Sequence, residues 1–172
     1  MPHLTLIIMR HAKALAAGAS GGDFTRPLAP RGRVDAARMG RWLYARYPDI
    51  DRVLVSPAQR TRETLAGVLA AWPDAAPTVI WDPSIYLAEL SSLLRAVAAH
   101  ATGKVLVLGH NPGMEELLRQ GLGEASAELA CELMPTAAVY VLGLAAGGGS
   151  LAVAGRAALL DHMRPTLLVD PA

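Results

Sequence analysis

The chain has 172 residues, of which 52% are hydrophobic and 18% charged, and it contains one cysteine. This length suits a single domain, residues 1–172, with one sizeable core. The lone Cys131 cannot form an internal disulfide or anchor a cysteine zinc site, which favours the cytoplasm as the location. No uncharged apolar stretch reaches the ~20 residues needed to cross a bilayer, so we expect no membrane contact.

The net charge of +1 hides an uneven distribution along the chain. The first 62 residues hold eleven Lys or Arg and four Asp, a balance of +7, whereas the remainder has a balance of −6. A basic first third is compatible with nucleic acid, with a phosphorylated substrate or with an ordinary solvated surface. Bulk charge leaves these alternatives open.

In the first half of the chain, apolar runs alternate with helical periodicity. Residues 5–9 form a continuous apolar run typical of a buried strand, and a glycine-rich loop follows at 14–25. A helix is predicted over 30–47 and a second strand over 52–55. Ser56 and Pro57 predict the N-cap and first residue of another helix, which runs to about Ala71.

The second half repeats this alternation. Strands are predicted at 78–81 and 104–108, with a helix marked by apolar residues from Leu87 to Val97 between them. Asn111-Pro112 opens a further helix, and two late strands, 138–142 and 151–154, form a predicted hairpin around 147–149. The pattern predicts an α/β three-layer sandwich, with a mostly parallel central sheet flanked by helices.

Basic and histidine residues stand where three of these strands end. Arg10-His11 follow the first strand, His110 follows strand 104–108, and Arg60 falls in the first turn of the helix after strand 52–55. The carboxyl ends of parallel strands share one edge of a sheet, where ligands bind. Arginine forks and helix N-termini both suit phosphate oxygens. The sequence therefore predicts a phosphate site at this edge.

A histidine in such a site can attack phosphorus and hold the phosphoryl group covalently. Neighbouring arginines disfavour a protonated imidazole, so we expect His11 to be neutral and nucleophilic. The same cations would stabilise charge on the phosphoryl oxygens during transfer, and His110 could donate a hydrogen bond to one of them. The five histidines show no pair at ligand spacing, so we expect neither a metal nor a cofactor.

Three segments, 6–11, 56–60 and 109–113, together resemble the histidine phosphatase superfamily. Residues 23–28 and 134–137 are similar to its small bacterial SixA-like branch of phosphohistidine phosphatases. The resemblance implies the phosphoglycerate mutase-like fold of that superfamily. It also implies that His11 is a nucleophile that becomes phosphorylated. Three further residues would complete the phosphate pocket: Arg10, Arg60 and His110. Arg26 would be one further substrate contact.

The sequence departs from the family pattern at two positions. Ala12 stands where many members have glycine, and its methyl group is either tolerated or narrows the pocket. Larger members carry an acid that protonates the leaving group, and its nearest candidate in this chain is Glu89. Glu89 equally fits the first turn of a helix.

The missing acid bears on the substrate. An alkoxide leaves poorly without a proton donor, whereas imidazole, with an ordinary pKa near ~6.5, leaves far more easily. The short chain also leaves few residues for a cap, so an open rim would admit a protein side chain. We therefore expect a phosphatase for phosphohistidine on a protein partner. The alternatives are a phosphatase or pyrophosphatase for small phosphate esters and a non-catalytic phosphate-binding module; nucleic acid is not expected.

Overall fold

The structure is a computed structural model that describes residues 2–17, 21–72, 77–128, 134–145, 151–152 and 154–169. Cys131 and the predicted turn at 147–149 lie outside these residues. The strands of the described part are β1 (Pro2–Arg10), β2 (Arg52–Val55), β3 (Thr78–Trp81), β4 (Gly103–Gly109), β5 (Val139–Ala145) and β6 (Ala157–Met163). Its α-helices are α1 (Pro30–Arg46), α2 (Gln59–Leu69), α3 (Leu90–Ala98) and α4 (Gly113–Leu122).

The strands form one six-stranded sheet in the order β3-β2-β4-β1-β5-β6. The four neighbours from β3 to β1 are parallel, while β5 is antiparallel to both β1 and β6. The mostly parallel sheet predicted from the sequence is therefore confirmed. Among the described helices, none is long and apolar enough to cross a membrane.

Helices cover both faces of this sheet. Alternate residues of β1 point to opposite sides, so Leu6 and Ile8 join one core cluster while Ile7 and Met9 join the other. The first cluster includes buried residues of α3 and α4, and the second includes buried residues of α1 and α2. The three-layer sandwich is confirmed, because each face of the sheet is closed by its own pair of helices.

The topology brings several strand ends to one edge of the sheet, here called the C-terminal edge. Arg10 of β1 pairs with Gly109 of β4, and Val55 of β2 pairs with Leu108 of the same strand. The residues that follow these strands therefore leave the sheet side by side. Because β6 runs in the same direction as β1, Arg164 also follows a strand that ends at this edge.

The predicted last strand, 151–154, is wrong. Leu151 and Ala152 are turn residues, and the strand that pairs with β5 is β6, at Ala157–Met163. β6 lies at the end of the sheet, and its residues alternate between exposed and half-buried positions. An edge strand of this kind lacks the continuous apolar run that marks the buried strands, so the sequence pattern does not indicate it.

Two predicted helix starts are also corrected. α2 begins at Gln59 with Ala58 as its N-cap, so Ser56 does not cap it. α3 begins at Leu90 rather than Leu87, whose φ of +47° is incompatible with a helical residue. In both cases the segment between strand and helix is used to build the C-terminal edge rather than to extend the helix.

Candidate active site

A polar cavity of about 220 Å³ opens at the C-terminal edge. All five residues singled out from the sequence line it: Arg10, His11, Arg26, Arg60 and His110. The other lining residues are Lys13, Ala14, Asp23, Leu87, Asn111 and Thr136. The structure therefore brings the five together from β1, α2, β4 and the loop before α1.

His11 is buried, and its orientation is set by its own chain neighbour. Its Nδ1 lies 2.7 Å from the carbonyl oxygen of Ala12. A carbonyl can only accept, so Nδ1 carries the proton and Nε2 keeps a lone pair. Burial lowers the pKa of His11 to about 4, and the charges of Arg60, Arg10 and Arg26 act in the same direction. His11 is thus a neutral imidazole at pH 7, with a nucleophilic nitrogen available.

His110 lies beside His11, with their ring centroids 5.3 Å apart. Its Nε2 is 2.8 Å from the buried hydroxyl of Ser56, whereas its buried Nδ1 has no hydrogen-bond partner among the described residues. Burial, followed by the charge of Arg60, lowers the pKa of His110 to about 3. If Ser56 donates its hydroxyl proton to Nε2, the Nδ1–H of this neutral ring is left to donate to an anion.

Arg60 is almost fully buried, at 1% exposure, and Asp23 holds it in place. Its Nη1 donates to the backbone carbonyl of Asp23 at 2.7 Å, and its Nη2 donates to Oδ2 of the same residue at 3.0 Å. The Nε of Arg60 is buried without a partner among the described residues. A guanidinium has five N–H donors, so this fork keeps donors for an anion while Asp23 fixes its plane.

Asp23 also holds Arg26 and Tyr86. Its Oδ1 accepts from Nε of Arg26 at 3.1 Å, and its Oδ2 accepts from the Tyr86 hydroxyl at 2.7 Å. The hydrogen bond from Tyr86 and the charge of Arg60 lower the pKa of Asp23, whereas the same bond raises the pKa of Tyr86. The ring of Tyr86 meets that of His110 edge-on, with centroids 5.5 Å apart. Asp23 and Tyr86 therefore connect the loop before α1 to the wall of the cavity.

Arg10 is anchored from the other side of the cavity. Its Nη1 donates to the carbonyl oxygen of Met134 at 2.8 Å, and Nδ2 of Asn111 donates to the same oxygen at 3.2 Å. The segment 134–137, noted for its family resemblance, thus serves as a backbone anchor for two lining residues. This contact holds the Arg10 guanidinium against the backbone at Met134.

Ala12, the departure from the family glycine, points away from the cavity. It is fully buried in the core cluster of α1 and α2 and is not a lining residue. Its N–H donates to Oγ1 of Thr64 at 3.0 Å, while its carbonyl orients His11. The methyl group therefore packs in the core and does not narrow the cavity.

Glu89 lies outside the cavity. It is exposed at the N-cap position of α3, and its Oε1 accepts from the Ser91 hydroxyl at 2.8 Å. Among the described lining residues the only carboxylate is Asp23, which is engaged with Arg26, Arg60 and Tyr86. Within the described part of the chain, no group of three or more His, Cys, Asp or Glu side chains is arranged to hold a metal ion.

Three contributors to the site have roles that the sequence does not predict: Asp23, Ser56 and Tyr86. The sequence marks Asp23 and Ser56 as members of the family-like segments 23–28 and 56–60, predicts Ser56 as a helix cap, and indicates no role for Tyr86. Each acts through a contact that spans many residues, 37 between Asp23 and Arg60 and 54 between Ser56 and His110. Only the position of Ser56, directly after a buried strand, was a signal that could have revealed its role.

Comparison with known proteins identifies the family to which this chain is similar. The sequence pattern of the histidine phosphatase superfamily (branch 1) matches residues 6–84. The phosphohistidine phosphatase SixA of Escherichia coli strain K12 is 32% identical over 114 residues, which cover 63% of this chain and 68% of that protein. The chain belongs to the histidine phosphatase superfamily. The family resemblance inferred from the three motifs is confirmed.

Solved structures extend the similarity to nearly the whole chain. A SixA protein from Agrobacterium tumefaciens is 28% identical, covers 96% of this chain and 99% of its own, and gives a TM-score of 0.81. A SixA protein from Nakamurella multipartitia is 34% identical with the same coverage and a TM-score of 0.75. The expected superfamily fold is confirmed, and membership supports phosphatase activity for this chain.

Proposed function

We propose that this phosphatase dephosphorylates phosphohistidine on a protein partner and that His11 carries the phosphoryl group between the two half-reactions. The observation that carries the proposal is the state of the cavity's titratable groups. A neutral imidazole stands among arginines, and the one carboxylate among the described lining residues is held ionised. The proposal treats residues 1–172 as one domain that uses neither metal nor cofactor, and it places the protein in the cytoplasm on the basis of its single cysteine.

The first half-reaction is a transfer between two imidazoles. Nε2 of His11 attacks phosphorus as the bond from phosphorus to the substrate imidazole breaks, and that imidazole keeps the bonding electrons. A substrate ring protonated on its other nitrogen departs as neutral imidazole, without a proton from the enzyme. Arg10, Arg60, Arg26 and the Nδ1–H of His110 stabilise the negative charge on the phosphoryl oxygens.

The second half-reaction is hydrolysis of the phosphoenzyme. A water molecule attacks phosphorus, and the bond from phosphorus to Nε2 of His11 breaks. Inorganic phosphate leaves with the oxygen and one proton of the attacking water, the other proton passes to solvent, and His11 returns to its neutral state. The same arginines act in both steps, because the phosphoryl oxygens carry the charge in each.

The choice of a phosphoamide over an ester follows from the cavity's proton donors. The pKa of Asp23 is lowered, so this carboxyl carries no proton at neutral pH. The pKa of Tyr86 is raised, which makes its hydroxyl a weaker acid than usual. An alkoxide would need a proton that neither group readily supplies, whereas imidazole leaves without one.

A protein partner is favoured by the apolar side chains around the mouth of the cavity. Leu87 lines the cavity and is 53% exposed, and Phe24, 43% exposed, packs edge-on against Tyr86. Exposed aromatic and aliphatic side chains around a polar centre are typical of surfaces that bind proteins. A small phosphate compound does not need these apolar contacts for binding.

We expect the phosphohistidine form of a protein or peptide to be hydrolysed with a kcat/KM at least about 100-fold higher than that of alkyl phosphates such as glycerol phosphate. The measurement is phosphate release from a panel that also includes an aryl phosphate, whose leaving group needs less help. Equal rates on alkyl phosphates would contradict the proposal. Binding of vanadate without turnover of any substrate would instead identify a non-catalytic module.

Replacing Glu89 with glutamine is expected to change kcat/KM for phosphohistidine by less than about twofold, because this exposed carboxyl lies outside the cavity. The matched control is Glu124→Gln, which alters another exposed carboxylate. A tenfold or larger loss confined to Glu89→Gln would assign this residue an acid role and favour an ester substrate.

A further inference from the structure

A second cavity, of about 350 Å³, adjoins the first at the C-terminal edge. Lys13 and Thr136 line both cavities, so these two residues form a wall that the cavities share. The remaining lining residues of the second cavity are Arg31, Asp35, Pro135, Arg164, Pro165 and Thr166. None of these six residues lines the first cavity.

The sheet topology explains why the two cavities are neighbours. The first lies beyond the ends of β1, β2 and β4, and the second lies where β6 ends, on the other side of β1. Arg164 is the first residue after β6, and Arg10 is the last residue of β1. Between them the carbonyl of Lys13 accepts from Ala29 at 2.8 Å, and a side chain at Gly32 would approach that carbonyl to 2.1 Å. The close contact with α1 fixes the backbone at Lys13, where the cavities meet.

The second cavity is positively charged. Lys13, Arg31 and Arg164 line it against a single carboxylate, Asp35. Asp35 is already shared, since it lies 3.5 Å from Nε of Arg31 and 4.0 Å from Nη1 of Arg38. The Nε of Arg164 is buried and has no hydrogen-bond partner in the described part of the chain. A buried donor without a partner is costly, and Arg164 lines this cavity, so it would gain from an anion that its guanidinium can reach there.

We propose that this second cavity binds a second anionic group of the substrate while the phosphoryl group occupies the first. This rests on the proposed function, which makes the anion an acidic side chain close to the phosphohistidine of the partner protein. Arg164 and Arg31 are its specificity residues, and Lys13 faces both anions. A second phosphate of a small compound has the same chemistry, so the experiment includes a compound of that kind.

The test compares Arg164→Gln and Arg31→Gln with the wild type on two phosphohistidine peptides, identical except for Glu or Gln next to the phosphohistidine. Each variant should raise KM for the acidic peptide about tenfold, the effect of losing one charged hydrogen bond, while kcat and the neutral peptide change less than twofold. Arg31 is 73% exposed, so its replacement leaves the core intact. Arg41→Gln, an exposed residue of α1 outside the cavity, is the matched control.

Equal losses on both peptides, or the same loss in Arg41→Gln, would overturn the subsite. A third arm uses an aryl phosphate with and without a second phosphate on its ring. A preference for the doubly charged compound that disappears in Arg164→Gln, together with no discrimination between the peptides, would assign the cavity to small substrates and overturn the protein anion. Because this arm needs no phosphohistidine, it still tests the subsite if the proposed function fails.

Discussion

Replacing His11 with asparagine is expected to lower kcat by at least about 10⁴-fold and to abolish the phosphoenzyme. The asparagine amide can still donate to the Ala12 carbonyl, as Nδ1 of His11 does, but the lone pair of Nε2 is lost. The measurement is turnover of an aryl phosphate, together with acid-quenched labelling by a ³²P substrate. Phosphate should still bind, because Arg10, Arg60 and His110 remain.

The control for this variant is His100→Asn, a histidine outside the lining of both cavities. It should label and turn over like the wild type. If His11→Asn keeps its labelling, the phosphoryl group is carried by another residue and the proposed role of His11 is wrong. Loss of both properties in the control as well would indicate a general structural effect rather than the loss of a nucleophile.

The lowered pKa of His11 also predicts how acid affects stability. The folded protein keeps this imidazole neutral down to about pH 4, whereas the unfolded chain binds the proton near pH 6.5. The contribution of this neutral imidazole to the free energy of unfolding is therefore complete above pH 6.5, and it is lost as the pH falls from 6.5 towards 4. His110, whose pKa is lowered to about 3, acts in the same direction. Urea unfolding at pH 7.5 and 5 should show a smaller loss of stability in His11→Asn than in the wild type.

The pattern of the sequence is sufficient to predict the parallel strands of the sheet and the edge at which the site lies. Buried parallel strands such as 104–108 are continuous apolar runs, and their carboxyl ends are defined by the residue that breaks the run. Since parallel strands end at one edge, the placement of His11 and His110 followed from local signals alone. Their catalytic roles remain a proposal, as does that of Arg26.

The contacts that orient the site were less accessible, because they depend on loops folding over long sequence separations. Asp23 stands in a glycine-rich loop whose path no local rule determines, yet it meets Arg60 and Tyr86. Ser56 followed by Pro57 has the local signature of a helix start, but tertiary structure uses its hydroxyl for His110. β6 was missed for a related reason, since the edge of a sheet buries too little to leave an apolar signal.

Replacing Arg60 with lysine is expected to lower kcat/KM by about 10² to 10³-fold, although the charge is conserved. The guanidinium reaches Asp23 with two nitrogens, and its Nε–H, which has no partner among the described residues, is the donor that the proposed mechanism offers to the phosphoryl group. The ammonium group of lysine cannot bridge Asp23 and the phosphoryl group in the same geometry. Binding of vanadate, which mimics the five-coordinate phosphorus of the transition state, should weaken more than binding of phosphate.

Arg62→Lys is the control, two residues further along α2. Arg62 is exposed, lies over the ring of Trp81 at 4.8 Å and does not line the cavity, so its loss should change kcat/KM less than twofold. An effect of Arg60→Lys below threefold would show that charge alone, and not the fork, supports transfer. Equal weakening of vanadate and phosphate would assign Arg60 to ground-state binding.

A carboxylate, Asp23, lines a site that is built for an anion. Asp23 repels a phosphate dianion, but it holds the plane of Arg60, so Asp23→Asn should lower kcat about tenfold and leave KM little changed. If Asp23 acts through Arg60, the loss should nearly vanish when Asp23→Asn is combined with Arg60→Lys, where no fork remains to be oriented. Additive losses in this double-mutant cycle would show that Asp23 acts independently of Arg60. The coupling energy thus distinguishes a carboxylate that positions a cation from one that merely neutralises it.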